Sequence, residues 1–327
     1  MKRLALTVNG DMTYCTASEE NIGKGRCNHV LHQIDGETAE AFVKRAESVE
    51  FHRLSDDMSL NTGKAPSVIG GTQKKWWDEQ SQWMYKQDLV DPSRGLVQWN
   101  GLAEDLVSKV LRYAGIDVAE YHSCYINGKP GCKTRNFLKS DEELVELSEI
   151  LSDKEMDRLT NIEDEDLDSK MGYLVELLLE KTGNDFRDDL MKLIRVDLVL
   201  QSADRHYGNI GLVYHSKTQQ YRISPIYDNG QCLLAETTYT NVLAYGDEKL
   251  DLPGLNMFGM FPTSDYVNFV NRNSRESNEV KVDPEALEQF IEAYENPYYA
   301  KNKVEKVKWL LWDNIDYYSE MGVLSCY

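Results

Sequence analysis

DRHYGNIGLVYHSKTQQYRISPIYDNG, residues 204–230, is the stretch on which the reading of this chain turns. Asp204 is followed five positions later by Asn209 and, past an alternating segment, by Asp228 in Tyr-Asp-Asn-Gly. That spacing suits phosphoryl transfer. A catalytic loop supplies Asp204 to orient or deprotonate an attacking hydroxyl, while Asn209 and Asp228 hold the Mg2+ ions that neutralise a polyphosphate. Residues 210–214 and 220–223 alternate well enough to make two strands, so a hairpin is expected to return Asp228 to the loop it left. A lone Asp-Arg-His is more often a surface turn. Its junction with a strand pair and two metal-ligand types is what favours a site.

The joined pattern D-R-H-x-x-N-x-G followed by P-x-Y-D resembles the catalytic and metal-binding segments of the HipA-like serine/threonine kinases. More distantly it is similar to the phosphatidylinositol kinases. The best-known HipA wording is D-G-H-x-K-N, from which this chain departs at Arg205, Tyr207 and Gly208, closer here to CtkA-type bacterial kinases. The resemblance implies an α+β, two-lobed protein-kinase-like fold, with a β-rich N-lobe over residues 1–138 and a helical C-lobe over 139–327. It implies ATP and Mg2+ as cofactors, a protein Ser or Thr as acceptor, and a cognate antitoxin-like protein as a partner class. A small-molecule or phosphoinositide kinase is the alternative within enzymes. A pseudokinase or toxin-neutralising binding module is the alternative outside them.

Composition sets bounds that agree with an enzyme. Among 327 residues, 41% are hydrophobic and 28% charged, as expected of a soluble globular protein with a substantial core. The opening MKRLALTVNGDMTY turns polar too early for a secretory signal, and no run reaches the length of a membrane span, so a cytoplasmic protein is expected. Six cysteines without framework spacing suit free thiols. A net charge of -19 argues against nucleic acid as a partner, because that affinity comes from neutralised phosphates, and an acidic surface is repelled by anionic membranes. ATP is itself an anion, and the basic exception falls at Lys64, Lys74, Lys75 and Lys86.

In chain order, residues 4–8, Asn9-Gly10 and residues 12–16 read as a hairpin. Cys15, Cys27, His29 and His32 have no standard zinc spacing, and Gly23-Lys24-Gly25-Arg26 lacks the P-loop form, so a partly buried loop is expected there. Residues 37–54 carry Ala39, Phe42, Val43, Ala46 and Val49 at helical steps. Residues 56–71 read as a mobile loop ending in Gly70-Gly71, where bare backbone N–H groups can approach phosphates. The resemblance makes this an ATP lid, with Ser67, Val68, Gly70, Gln73 and Lys75 similar to the family's phosphate loop. Ser67 falls where HipA-type kinases phosphorylate themselves to switch off.

Lys86 ends a strand after Trp83 and Tyr85, where the family resemblance puts the nucleotide-anchoring lysine. Residues 101–114 form a helix with a stripe from Leu102 to Ala114, stopped by Gly115. The resemblance pairs its Glu104 with Lys86; Asp88, Glu79 and Asp105 are competing carboxylates. Asn127-Gly128 turns between two short strands, and a hinge is expected near residues 135–139, with Phe137 stacking on adenine by resemblance. Helices are then expected over 141–151, 153–159, 167–181 and 185–200, the last feeding into Asp204. Residues 236–282 read as irregular. Pro284 starts a helix, and 300–318 is amphipathic.

Overall fold

Strand β5 (Trp83–Gln87) lies inside the largest sheet, between β4 (Lys75–Trp77) and β7 (Lys129–Arg135), in a five-stranded order β3-β6-β7-β5-β4. The computed structural model describes residues 4–8, 11–15, 50–52, 54, 73–78, 80, 82–89, 98–161, 166–202, 204–235, 249, 257–259 and 261–326. It is an α+β fold, β-rich in its N-terminal region and helical in its C-terminal region. Two units divide the chain: Met1–Leu106, Glu120–Asn136 and Ala293–Trp309 form the first, and Val107–Ala119, Phe137–Glu292 and Leu310–Tyr327 the second.

In the first unit, β6 (Tyr121–Ile126) and β7 are joined at Asn127 and Gly128, whose φ of 48° and 82° suit the tight turn that Asn-Gly favours. A small core of Trp76, Tyr85, Cys124 and Ile126 covers one face of this sheet. Strands β1 (Leu4–Val8) and β2 (Asp11–Cys15) pair antiparallel as the hairpin reading expects. The end of the expected helix over 37–54 is instead a strand, β3 (Phe51–His52), parallel to β6. Phe51 and His52 exchange a local helical preference for ladder bonds to a sheet edge, while residues 37–49 lie outside the described residues.

Helix α1 (Asn100–Tyr113) starts against β7 through two glycines. A Cβ on Gly101 would sit 2.5 Å from the Gly131 carbonyl carbon, and one on Gly131 would sit 2.2 Å from the Lys86 carbonyl oxygen. Only glycine at both positions lets helix, β7 and β5 approach this closely. That approach sets the distance between side chains on α1 and β5.

The second unit is built on α4 (Leu167–Thr182) and α5 (Arg187–Leu200), with Leu174, Leu178, Leu190 and Ile194 fully buried. Each such leucine contributes roughly 1.5–3 kcal/mol of burial. Asp166 caps α4 by accepting from the Ser169 amide, and Gly183 closes it at φ 77°. The expected helix over 141–151 is a correction. Residues there form strand β8 (Glu142–Glu146) and only one turn of helix, α2 (Leu147–Ile150). β8 completes a sheet of order β10-β9-β8 with β9 (Gly211–His215) and β10 (Gln220–Ile223), and ladder bonds outweigh the brief Leu144, Leu147, Ile150 spacing. Helix α3 (Asp153–Asn161) follows. The stretch over 236–282 is also more regular than expected: Tyr266, Val267, Phe269 and Val270 form the buried stripe of α6 (Thr263–Arg272). Helices α7 (Pro284–Glu292) and α8 (Lys301–Glu320) follow. Among the described residues no helix is long and apolar enough to cross a membrane.

Candidate active site

Helix α5 delivers the chain to the 204–230 stretch. It ends at Gln201 in the left-handed region, φ 50°, whose amide donates back to the Asp197 carbonyl. Asp204 follows in a turn, and His206 caps a single 3-10 turn, Tyr207–Asn209, by accepting the Gly208 amide on Nδ1 at 3.0 Å. Asn209 folds back. Its Nδ2 donates to the Asp204 carbonyl at 2.8 Å and reaches Asp204 Oδ2 at 3.5 Å. The amide nitrogen is thus committed, so the oxygen is the atom that could meet a cation.

Arg205 holds this loop to the turn that carries Asp228. Its side chain is 1% exposed and lies against Asp197, which is 0% exposed. Nε donates to Asp197 Oδ2 at 2.9 Å and Nη2 to Oδ1 at 3.0 Å. Nη1 donates to the carbonyls of Asn209 and Tyr227, at 2.9 and 2.8 Å, and Nη2 to Asn229 Oδ1 at 2.7 Å. Burial alone would lower the guanidinium pKa, but Asp197 offsets it and raises the group above its ordinary value, while burial raises the Asp197 carboxyl against the pull of Arg205. One planar fork therefore ties helix, loop and turn together. Asp228 itself has φ 57°, a conformation that costs a non-glycine residue about 1–3 kcal/mol and persists only where its surroundings enforce it. The Arg205 bonds on either side of it supply that enforcement.

The donor set suits a hard cation. Asn209 and Asp228 offer an amide oxygen and a carboxylate from adjoining segments, the kind of ligands by which Mg2+ is held together with substrate phosphates. Tyr227 donates its hydroxyl to the Gly208 carbonyl at 3.2 Å, and its ring lies 6.3 Å from that of Phe137, tilted by 31°. Phe137 thus flanks the Asp228 turn.

In the first unit, Lys86 and Glu104 meet. Lys86 Nζ lies 2.9 Å from Glu104 Oε1, each residue is 1% exposed, and the ammonium stands 5.2 Å from the Tyr121 ring centre. The competing carboxylates have other partners. Asp88 accepts from the Gly101 amide and the Tyr299 hydroxyl, at 2.7 and 2.8 Å; Asp105 accepts from Asn296 at 3.1 Å and from Tyr294 at 2.5 Å. Glu79 lies outside the described residues. Burial pushes the Asp88 carboxyl up to about 7 against those two hydrogen bonds and Lys303, with Glu104 adding to the rise. Lys75 sits directly across the ladder from Lys86, and Gln73 Nε2 donates to the Gln87 carbonyl at 3.3 Å. Ser67, Val68, Gly70 and Gly71, with Cys27, His29 and His32, lie outside the described residues.

No protein-family model matches this sequence, and no curated protein matches it. Among solved structures, the chain is similar to the Helicobacter pylori proinflammatory kinase CtkA, with a TM-score of 0.54 and 16% identity over 80% of this chain and 95% of that one. The fold is kinase-like. A second similar structure is HipA of Shewanella oneidensis MR-1, solved with HipB and operator DNA, at a TM-score of 0.46 and 14% identity over 89% of this chain and 74% of that one.

Sequence reasoning overlooked Asp197, Asn229 and the anchoring role of Arg205, which it treated as a departure from a family pattern. A signal was present. Asp197 interrupts a run of Leu, Ile and Val in a helix, and an acid in that position needs a partner because an unpaired buried charge is expensive.

Proposed function

We propose that this chain is an ATP- and Mg2+-dependent serine/threonine protein kinase of the HipA-like type, acting in the cytoplasm. The observation that supports the reading most is the Arg205 clamp, which holds the Asp204–Asn209 loop and the Asp228 turn side by side. Asp204 accepts the proton of the acceptor hydroxyl as that oxygen attacks the terminal phosphorus of ATP and the bond from that phosphorus to the bridging oxygen breaks, releasing ADP. Asn209, through its amide oxygen, and Asp228 would hold Mg2+, which would neutralise charge on the phosphates. Lys86 binds phosphate oxygens, and Glu104 fixes its ammonium in place. Gln73, Lys75 and the Ser67, Val68, Gly70 and Gly71 segment contribute to ATP binding, Phe137 contacts the base, and Ser67 is the site of self-phosphorylation. An antitoxin-like protein is the proposed partner class.

Incubation with radiolabelled ATP and Mg2+, followed by phosphopeptide mapping, tests the reading. Asp204→Ala should lower phosphate incorporation about 10²- to 10⁴-fold with an unchanged melting temperature, and Asp228→Ala should abolish Mg2+-dependent stabilisation by ATP. A wild-type chain that incorporates no phosphate into itself or a generic protein acceptor, yet is stabilised by Mg-ATP, is a nucleotide-binding module instead.

A further inference from the structure

The second unit contains a cavity of about 550 Å³ that neither Asp204 nor Asp228 lines. This volume is in the range of small-molecule sites, roughly 300–1,000 Å³. Its walls include Leu193, Val196, Ile210, Ile226 and Val280, an apolar patch set among polar and charged side chains. Arg205, Asn209, Ile210 and Gly211 contribute another wall, together with Leu193 and Val196 of α5.

Charge at the mouth is unbalanced. Asp117, Asp189, Glu276 and Glu279 line the cavity against Lys192 and Lys281, and Arg205 is already neutralised by Asp197. Glu279 has Lys281 at 3.8 Å. The Asp189 carboxylate makes no hydrogen bond and no ion pair among the described residues, although it is only partly exposed. Burial raises its pKa; Lys192 opposes the rise, and Asp188 and Asp185 add to it. A cation beside Asp189 would relieve this crowding, and an anion would worsen it.

We propose that this cavity is a binding site for a small organic cation with an apolar body, such as an arylalkyl ammonium, whose ring fills the pocket while its charge meets Asp189. The ligand would bear on the loop that presents Asp204 and Asn209, because Arg205, Asn209, Ile210 and Gly211 form part of the wall. The effect on phosphate transfer rests on the kinase reading above; the binding itself does not.

The test is a ligand-observed NMR titration of the full chain, without nucleotide, using phenethylammonium, the neutral 2-phenylethanol and the anionic 3-phenylpropionate. Phenethylammonium should saturate a single site, with the alcohol weaker and the acid weakest. Asp189→Asn should weaken the ammonium by about threefold to fivefold and leave the alcohol unchanged. Ala114→Phe, which adds a ring to the cavity wall, should abolish both. Asp189→Asn is a near-isosteric change at a partly exposed site, so a folding defect in Ala114→Phe would not blunt the test. Equal affinity for the three probes, no saturable binding, or self-association abolished by Ala114→Phe would each overturn the proposal, the last assigning the cavity to a second copy. Saturable binding by a chain that transfers no phosphate would sustain the pocket and sink the kinase reading.

Discussion

Two buried cations, Lys86 in the first unit and Arg205 in the second, are equally hidden from water and solve that problem differently. Arg205 donates to a carboxylate, two main-chain carbonyls and an amide oxygen, drawn from one helix, one loop and one turn. Lys86 meets a carboxylate oxygen and an aromatic face, on a strand and helix held close by two glycines. An arginine fork satisfied in several directions acts as a structural strut. A lysine–glutamate pair is a weak source of stability when buried, since desolvation of both ions consumes most of their attraction. What the contrast teaches is that equal burial does not mean equal role: Arg205 ties the loop to its neighbours, whereas the lysine pair adds little net stability.

The contrast breaks most readily at Arg205. Arg205→Met should cost about 3–5 kcal/mol, because it leaves Asp197 charged and buried without a partner. Adding Asp197→Leu should restore only part of that, since the Asn209 and Tyr227 carbonyls still lack their donor. Urea unfolding of the single and double variants measures both, and full recovery in the double variant would reduce Arg205 to an ion-pair partner.

Lys86→Met with Glu104→Leu should behave in the opposite way. Stability is expected to stay level or rise by about 1–4 kcal/mol, while phosphate transfer is lost. A double variant that unfolds would show that this pair, too, is structural. Gly131→Ala sharpens the same point from the backbone, because its Cβ would collide with the Lys86 carbonyl. A loss of about 1–3 kcal/mol, with weaker Mg-ATP stabilisation, is the expected result in a thermal-shift assay.

A separate test concerns pH. Asp88 has a folded pKa of about 7, raised from 3.8. Between those values the folded state binds the extra proton, so this group's contribution to stability is present at about pH 4 and is lost as pH rises through 7. Asp88→Asn should therefore melt with a shallower decline than wild type across that window. Parallel profiles would show that Asp88 is ionised throughout.

The legible parts of the sequence were those with local causes. The hairpin between Asn209 and Asp228 follows from alternation, α4 ends where Gly183 permits φ 77°, and the β6–β7 turn forms where Asn127-Gly128 stands. Misreadings fell where pairing across the chain mattered. Residues 142–146 have helical spacing for barely two turns, too short to resist the strand at 211–215, and Phe51–His52 joined a sheet edge that no local pattern announces. The stripe at Tyr266, Val267, Phe269 and Val270 was visible but was passed over among irregular neighbours.

Order and spacing along the chain determined which elements form and which polar side chains leave them together, because turns, caps and periodicity act over a few residues. Tertiary structure alone decided that Arg205 grips Asp197 and Asn229, that Glu104 rather than Asp88 or Asp105 reaches Lys86, and that a cavity opens on the α5 side of the loop. A buried charge takes whichever partner three-dimensional packing brings within about 3 Å, and the sequence carries the need for that partner without its address.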